Sequence, residues 1–154
     1  MGIIRDRIHT CSSISSFKIQ ENIQMKKILI IDDDDITREL LAGICGTVPD
    51  VEVTTAIDGF DGLVKLMNNE FDLIFCDIHM PEMSGLEVAQ AFRASNGRSA
   101  FAKFILMSGA ADDQARDFRE QAKALEVSFL GKPFPHPKSL RGLINSCLFE
   151  STAR

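Results

Sequence analysis

Between residues 26 and 148 the sequence alternates short apolar runs with longer segments of helical period, and this alternation restricts the fold more than any single residue does. Ile28-Leu29-Ile30-Ile31 is a continuous apolar run closed by acids, the pattern of a strand buried on both faces. Residues 36–46 follow with Ile36, Leu40, Leu41 and Ile44 at helical spacing, punctuated by Gly46 and Pro49. The β-branched run 51–55 predicts a second strand, and 59–69, with Phe60, Leu63, Val64 and Met67 at helical period, a second helix. The second half repeats the theme. Residues 71–76 form an apolar strand ending in Asp77, and 84–95 a helix whose apolar set is Leu86, Val88, Ala89 and Phe92. A strand over 103–107 ends at Ser108, and a polar helix over 112–125 opens with acids, favourable at a helix N-terminus. A brief strand over 128–131 precedes Lys132-Pro133, and 139–148 is the last helix.

Five strands alternating with five helices predict an α/β fold, a five-stranded parallel sheet with helices on both faces. Such sheets collect functional groups beyond the carboxyl ends of their strands. Strand one ends in Asp32 and Asp33, strand three in Asp77, strand four in Ser108 and strand five in Lys132. Three carboxylates, a hydroxyl and an ammonium therefore converge on one edge. Carboxylates so close repel one another and call for a cation. Mg²⁺, a hard ion with oxygen ligands that binds through one or two carboxylates plus a phosphate, suits the set. Ser108 and Lys132 then supply a hydrogen-bond donor and a point charge for phosphoryl oxygens, and Asp77, on the middle strand, is the candidate nucleophile.

Composition excludes several classes. The formal net charge of −5 lacks the basic stripe of a general nucleic-acid binder, and no apolar run reaches the roughly 18 residues that span a bilayer. Cys11, Cys45, Cys76 and Cys147 are too scattered for a zinc site or a disulfide framework. Three of them sit among apolar neighbours and fit small core residues in a reducing cytoplasm, so a cytoplasmic location is expected. Residues 1–25 show neither period nor signal-peptide pattern. They are expected to be a disordered tail or a start upstream of the real one at Met25, the alternative being a segment that orders on a partner.

The motifs ILIIDDDD, FDLIFCDIHMPEMSG, FILMSGA and FLGKPF, in this order and spacing, resemble the receiver domain of bacterial two-component response regulators. The resemblance covers residues 26–149 and leaves 150–154 as a C-terminal tail. It implies a flavodoxin-like sheet of order 2-1-3-4-5. Asp77 would be the phosphoacceptor, served by a sensor histidine kinase. Asp33 would ligate Mg²⁺ directly, Asp32 mainly through water, and His79 through its backbone carbonyl. Ser108 would hydrogen-bond the phosphoryl group and Lys132 would pair with it, ahead of a cis bond to Pro133. Ser108 and Phe129 would form the switch, altering the surface of residues 112–148 toward a downstream protein target. A static core role for Phe129 competes with that reading. Asp34 and Asp35 are assigned to the start of the first helix instead of the metal.

Three positions depart from the pattern. His79 and Ala110 stand at sites that in the family tune hydrolysis of the acyl phosphate, and Glu126 occupies a helix end where glycine is usual. If Glu126 adopts a left-handed backbone, the cost is about 1 kcal/mol. Two functions compete with a single-domain, protein-binding switch. One is a phosphorelay intermediate that passes the group from Asp77 to a histidine phosphotransfer protein. The other is a haloacid-dehalogenase-like phosphatase using the Asp33-x-Asp35-x-Thr37 pattern, which leaves Asp77 to Pro81 unexplained. The expectation is thus a signalling protein that is not an enzyme, with neither direct nucleic-acid contact nor membrane insertion.

Overall fold

The computed structural model describes residues 24–95, 99, 101–109 and 112–150, with 112–115 as backbone. Of the expected tails over 1–25 and 150–154, residues 1–23 and 151–154, including Cys11, lie outside the described residues, as does Ala110. The elements run β1 (Lys26–Ile31), α1 (Asp35–Cys45), β2 (Val51–Ala56), α2 (Gly59–Asn68), β3 (Leu73–Asp77), α3 (Gly85–Ala94), β4 (Lys103–Ser108), α4 (Asp112–Ala124), β5 (Ser128–Gly131) and α5 (Pro137–Phe149). All strands pair in parallel in the order β2-β1-β3-β4-β5. The parallel α/β sheet expected from the alternation is observed, and its strand order is the one that the family resemblance implies.

The apolar runs explain why the sheet is covered on both sides. Successive residues of a strand point to opposite faces. Leu29, Ile31, Ile74, Cys76, Phe104 and Leu106 accordingly join one core with residues of α2, α3 and α4. Their neighbours Ile28, Ile30, Leu73, Phe75, Ile105 and Met107 join the other core with α1 and α5. A strand that feeds two cores has no polar position to spare. β3 is buried at every residue, and β1 at its last four.

Local signals set the helix ends. The Asp34 side chain caps α1 by accepting from the Thr37 N–H at 2.9 Å, and Asp35 is the acid of its first turn, as expected. Ser84 and Glu87 form a reciprocal capping box on α3. α5 starts earlier than position 139, with His136 as its cap and Pro137 in the first turn, where a missing N–H costs nothing. β3 starts later than position 71. The Phe71 N–H is taken by Ser99 Oγ at 2.8 Å, and the Asp72 carboxylate binds the Lys26 ammonium and the Lys27 N–H, each at 2.8 Å.

The helical period is right for α2, but its inward face is not the one the spacing suggests. Phe60, Val64 and Met67 are exposed, while Gly59, Gly62 and Leu66 are buried. Gly62 is the reason. A Cβ there would lie 2.5 Å from Ile31 Cδ1, so the helix approaches β1 along its glycine side. In α1, Ile36 and Leu40 are likewise exposed, and Leu41 and Cys45 are buried.

Candidate functional site at the carboxyl edge of the sheet

β1 and β3 are adjacent, with Ile31 paired to Cys76, so the residues that follow these two positions, Asp32 and Asp77, meet at one edge. On the other side of β3, Asp77 pairs with Met107, which carries Ser108 one residue further along β4. Ser108 in turn pairs with Gly131, and Lys132 follows. Parallel register alone thus assembles residues that lie up to 100 positions apart.

The five do not share one environment. Asp32 is 1% exposed, Asp77 6% and Ser108 3%, whereas Asp33 is exposed and Lys132 half-buried. Lys132 Nζ lies 2.7 Å from Asp32 Oδ2 and 2.7 Å from Asp77 Oδ1. The remaining oxygens are held from the backbone. Asp32 Oδ1 accepts from the Asp34 N–H at 2.9 Å, and Asp77 Oδ2 from the His79 N–H at 2.8 Å. The Lys132 N–H donates to the Ser108 carbonyl at 2.7 Å, closing the β4–β5 edge, and the Lys132–Pro133 bond is cis.

Burial pushes the Asp77 carboxyl above its usual range, against the pull of Lys132, and the negative Asp32 adds to the rise. Burial alone would lower the Lys132 ammonium. Its hydrogen bonds to Asp32 and Asp77, with their charges, outweigh that and raise it. The group holds together as an ion cluster with more negative than positive charge.

Carboxylate oxygens of Asp32, Asp33 and Asp77 lie within 4.8 Å of one another. Three hard oxygen donors facing a single ammonium leave an excess of two negative charges. A small divalent cation fits both the donor type and that charge. Among the described residues this is the group of acids that meets the requirement. His79 presents its N–H to Asp77, and its ring lies edge-on to Phe118 of α4 at 5.1 Å. Phe129 is half-buried in the core on the α4 side of the sheet, with the Arg119 guanidinium 5.2 Å from its ring centre.

Sequence reading missed two supports. Arg38 donates to the Asp32 carbonyl at 2.7 Å and pairs with Asp35, fixing the β1–α1 turn; nothing in the pattern of α1 marks it. Gly85 lets the loop after β3 fold back, its N–H donating to Ile78 O at 3.1 Å. A Cβ at Gly85 would lie 2.1 Å from the Asp77 carbonyl oxygen. The serine–glycine pair that closes the motif after Asp77 was its visible signal.

Residues 28–145 match the family model described as the response regulator receiver domain. Among curated proteins, the regulator of RpoS of Escherichia coli is 32% identical over 82% of this chain and 36% of its own length. A protein-glutamate methylesterase/protein-glutamine glutaminase of a Nocardioides species is 35% identical over 53% of this chain and 23% of its own. The chain thus spans about a quarter to a third of these relatives. Among solved structures, a chemotaxis protein of Vibrio cholerae, CheY4, is 28% identical, covers 80% of this chain and 99% of its own, and superposes with a TM-score of 0.70. A CheY-like receiver domain protein of Methanospirillum hungatei is 26% identical over 82% and 96%, with a TM-score of 0.72.

Proposed function

Because the chain belongs to the response regulator receiver domain family, we propose that it accepts a phosphoryl group from a histidine kinase on Asp77 and signals by phosphorylation-dependent binding of another protein. One observation carries this reading. Asp77 ends the central strand, is buried, bonds Lys132, and has the oxygens of Asp32 and Asp33 within 4.8 Å. An Asp77 carboxylate oxygen attacks the phosphorus of the donor phosphohistidine. The O–P bond forms as the P–N bond breaks, and the imidazole leaves with the electron pair. Lys132 offsets charge on the phosphoryl oxygens, and the Ser108 hydroxyl, one residue beyond the Asp77 level on β4, donates to one of them. Asp32, Asp33, Asp77 and the His79 backbone carbonyl would hold Mg²⁺, which when bound adds charge stabilisation at the same oxygens.

The output follows from the same edge. A hydroxyl drawn toward the phosphoryl group vacates space beside Phe129, which now rests under Arg119, so the surface of α4, β5 and α5 is the one that changes. The sensor kinase supplies the phosphoryl group, and the downstream target reads residues 112–148. Among the described residues no helix is long and apolar enough to cross a membrane. A cytoplasmic location is proposed because a kinase donor and the free thiols of Cys45, Cys76 and Cys147, the cysteines among the described residues, both belong there.

The test incubates the protein with a phosphorylated histidine kinase and Mg²⁺, then maps the acyl phosphate by peptide mass. Label on Asp77, lost in Asp77→Asn and retained at reduced rate in Asp33→Asn, is expected. Label on Asp33 would return the phosphatase reading. Discharge to a histidine phosphotransfer protein faster than to water would replace the switch by a relay.

A further inference from the structure

β1 ends at Ile31 in both of its ladders, so the next carbonyl, that of Asp32, lies past the last strand register. A side chain meets it there. Arg38 Nη1 donates to Asp32 O at 2.7 Å, and Nη2 pairs with Asp35. Arg38 stands in the opening turn of α1, where the helix dipole disfavours a cation. Its side chain is nevertheless 12% exposed, against 79% for Asp35. An ion pair to so exposed a carboxylate contributes little and does not account for drawing a guanidinium out of solvent. The Asp32 carbonyl is the partner that does.

That carbonyl belongs to the peptide joining Asp32 to Asp33. The peptide is planar, so fixing its oxygen also fixes the N–Cα direction from which the Asp33 side chain departs. The other two carboxylates of the cluster have anchors of their own. Asp32 is bonded by Lys132 and the Asp34 N–H, and Asp77 by Lys132 and the His79 N–H. Among the described residues no such bond holds the exposed Asp33 carboxylate, which still lies within 4.8 Å of the other two. We infer that Arg38 is a positioning residue for metal binding: by holding the Asp32–Asp33 peptide, it keeps the Asp33 carboxylate aimed at those of Asp32 and Asp77. The inference rests on the Mg²⁺ reading proposed above. Groups that orient a metal ligand from behind change affinity by about 10–100-fold when removed. The sign of the change is diagnostic. A guanidinium acting through its charge alone repels a divalent cation, so its removal would tighten binding. One acting through the peptide has the opposite effect on removal.

Calorimetric titration of the full chain with Mg²⁺, with no phosphoryl donor present, measures the effect. Arg38→Gln and Arg38→Met are each expected to weaken Mg²⁺ binding about tenfold. Arg38→Lys keeps the charge and a donor but not the fork that reaches two acceptors, so it should recover part of the loss. Urea unfolding in EDTA accompanies each titration and separates position from fold. Variants that lose stability but keep the wild-type Mg²⁺ affinity would make Arg38 a structural residue only and overturn the inference. Tighter binding in Arg38→Gln and Arg38→Met would overturn it too, by showing that the charge is what the metal feels. A wild type that takes up no Mg²⁺ would instead remove the metal reading itself, and this inference with it.

Discussion

Lys132 Nζ lies 2.7 Å from Asp77 Oδ1, the ammonium of a side chain that is 20% exposed bonded to a carboxylate that is almost wholly out of solvent. The contact joins the loop after β5 to the end of β3, and the same Nζ holds Asp32 at the end of β1. One cation thus ties three strand ends together.

Removing that cation leaves two buried carboxylates facing each other. Lys132→Ala is expected to lose about 1–2 kcal/mol in EDTA, less than the cost of breaking a fully buried pair because Lys132 is partly solvated. Saturating Mg²⁺ should return part of the loss by supplying the missing charge. Urea unfolding in EDTA and in Mg²⁺ checks this. An equal loss in both would show that the lysine acts through packing.

Two glycines should answer alanine oppositely. Gly85→Ala forces a methyl into the Asp77 carbonyl at 2.1 Å and is expected to cost about 3 kcal/mol and to slow phosphorylation. Gly142, in the exposed middle of α5, has nothing within 4 Å of an added Cβ. Gly142→Ala should stabilise by about 0.5–1 kcal/mol, since alanine is the better helix former. Thermal melts of the pair side by side make the comparison.

Glu126, which stands where glycine is usual in the family, adopts the left-handed backbone at φ 54°. The Val127 N–H returns to Ala122 O and the Glu126 N–H to Lys123 O, which is the double hydrogen bond of a Schellman cap. Arg93 of α3 adds donors to the Leu125 and Glu126 carbonyls at 3.0 and 2.6 Å. Glu126→Gly should raise stability by about 1 kcal/mol, removing the Cβ penalty and leaving those backbone bonds intact. A lower melting temperature would mean that the glutamate side chain contributes more than its backbone costs.

Burial pushes the Cys45 thiol up to about 12 and holds Cys76 well above its ordinary value, with the charges of Asp77 and Asp32 adding to the rise at Cys76. Neither should form a thiolate in the folded protein at neutral pH. Maleimide labelling mapped by peptide mass should leave both unmodified under native conditions and label both in urea. Cys147, half-buried, should react at an intermediate rate. Native labelling of Cys76 as fast as in urea would indicate that β3 opens.

Much of this molecule was determined by local sequence. Apolar runs without alternation require strands covered on both faces, and the polar residue that ends each run must emerge at the sheet's carboxyl edge, so the sequence by itself makes Asp32, Asp77, Ser108 and Lys132 neighbours. Asp34 as a cap was equally legible, because capping depends on adjacent residues, whereas the left-handed backbone of Glu126 was only a condition raised by the family resemblance. Only the tertiary structure decided matters of distance and of face. It buries Asp32 and leaves the adjacent Asp33 exposed, it gives one ammonium to two carboxylates, and it turns the glycine side of α2 inward while Phe60, Val64 and Met67 look out. Helical period states that apolar residues share a side. Which side packs depends on how closely a neighbouring strand can approach, and Ile31 sets that for Gly62 from 31 residues away.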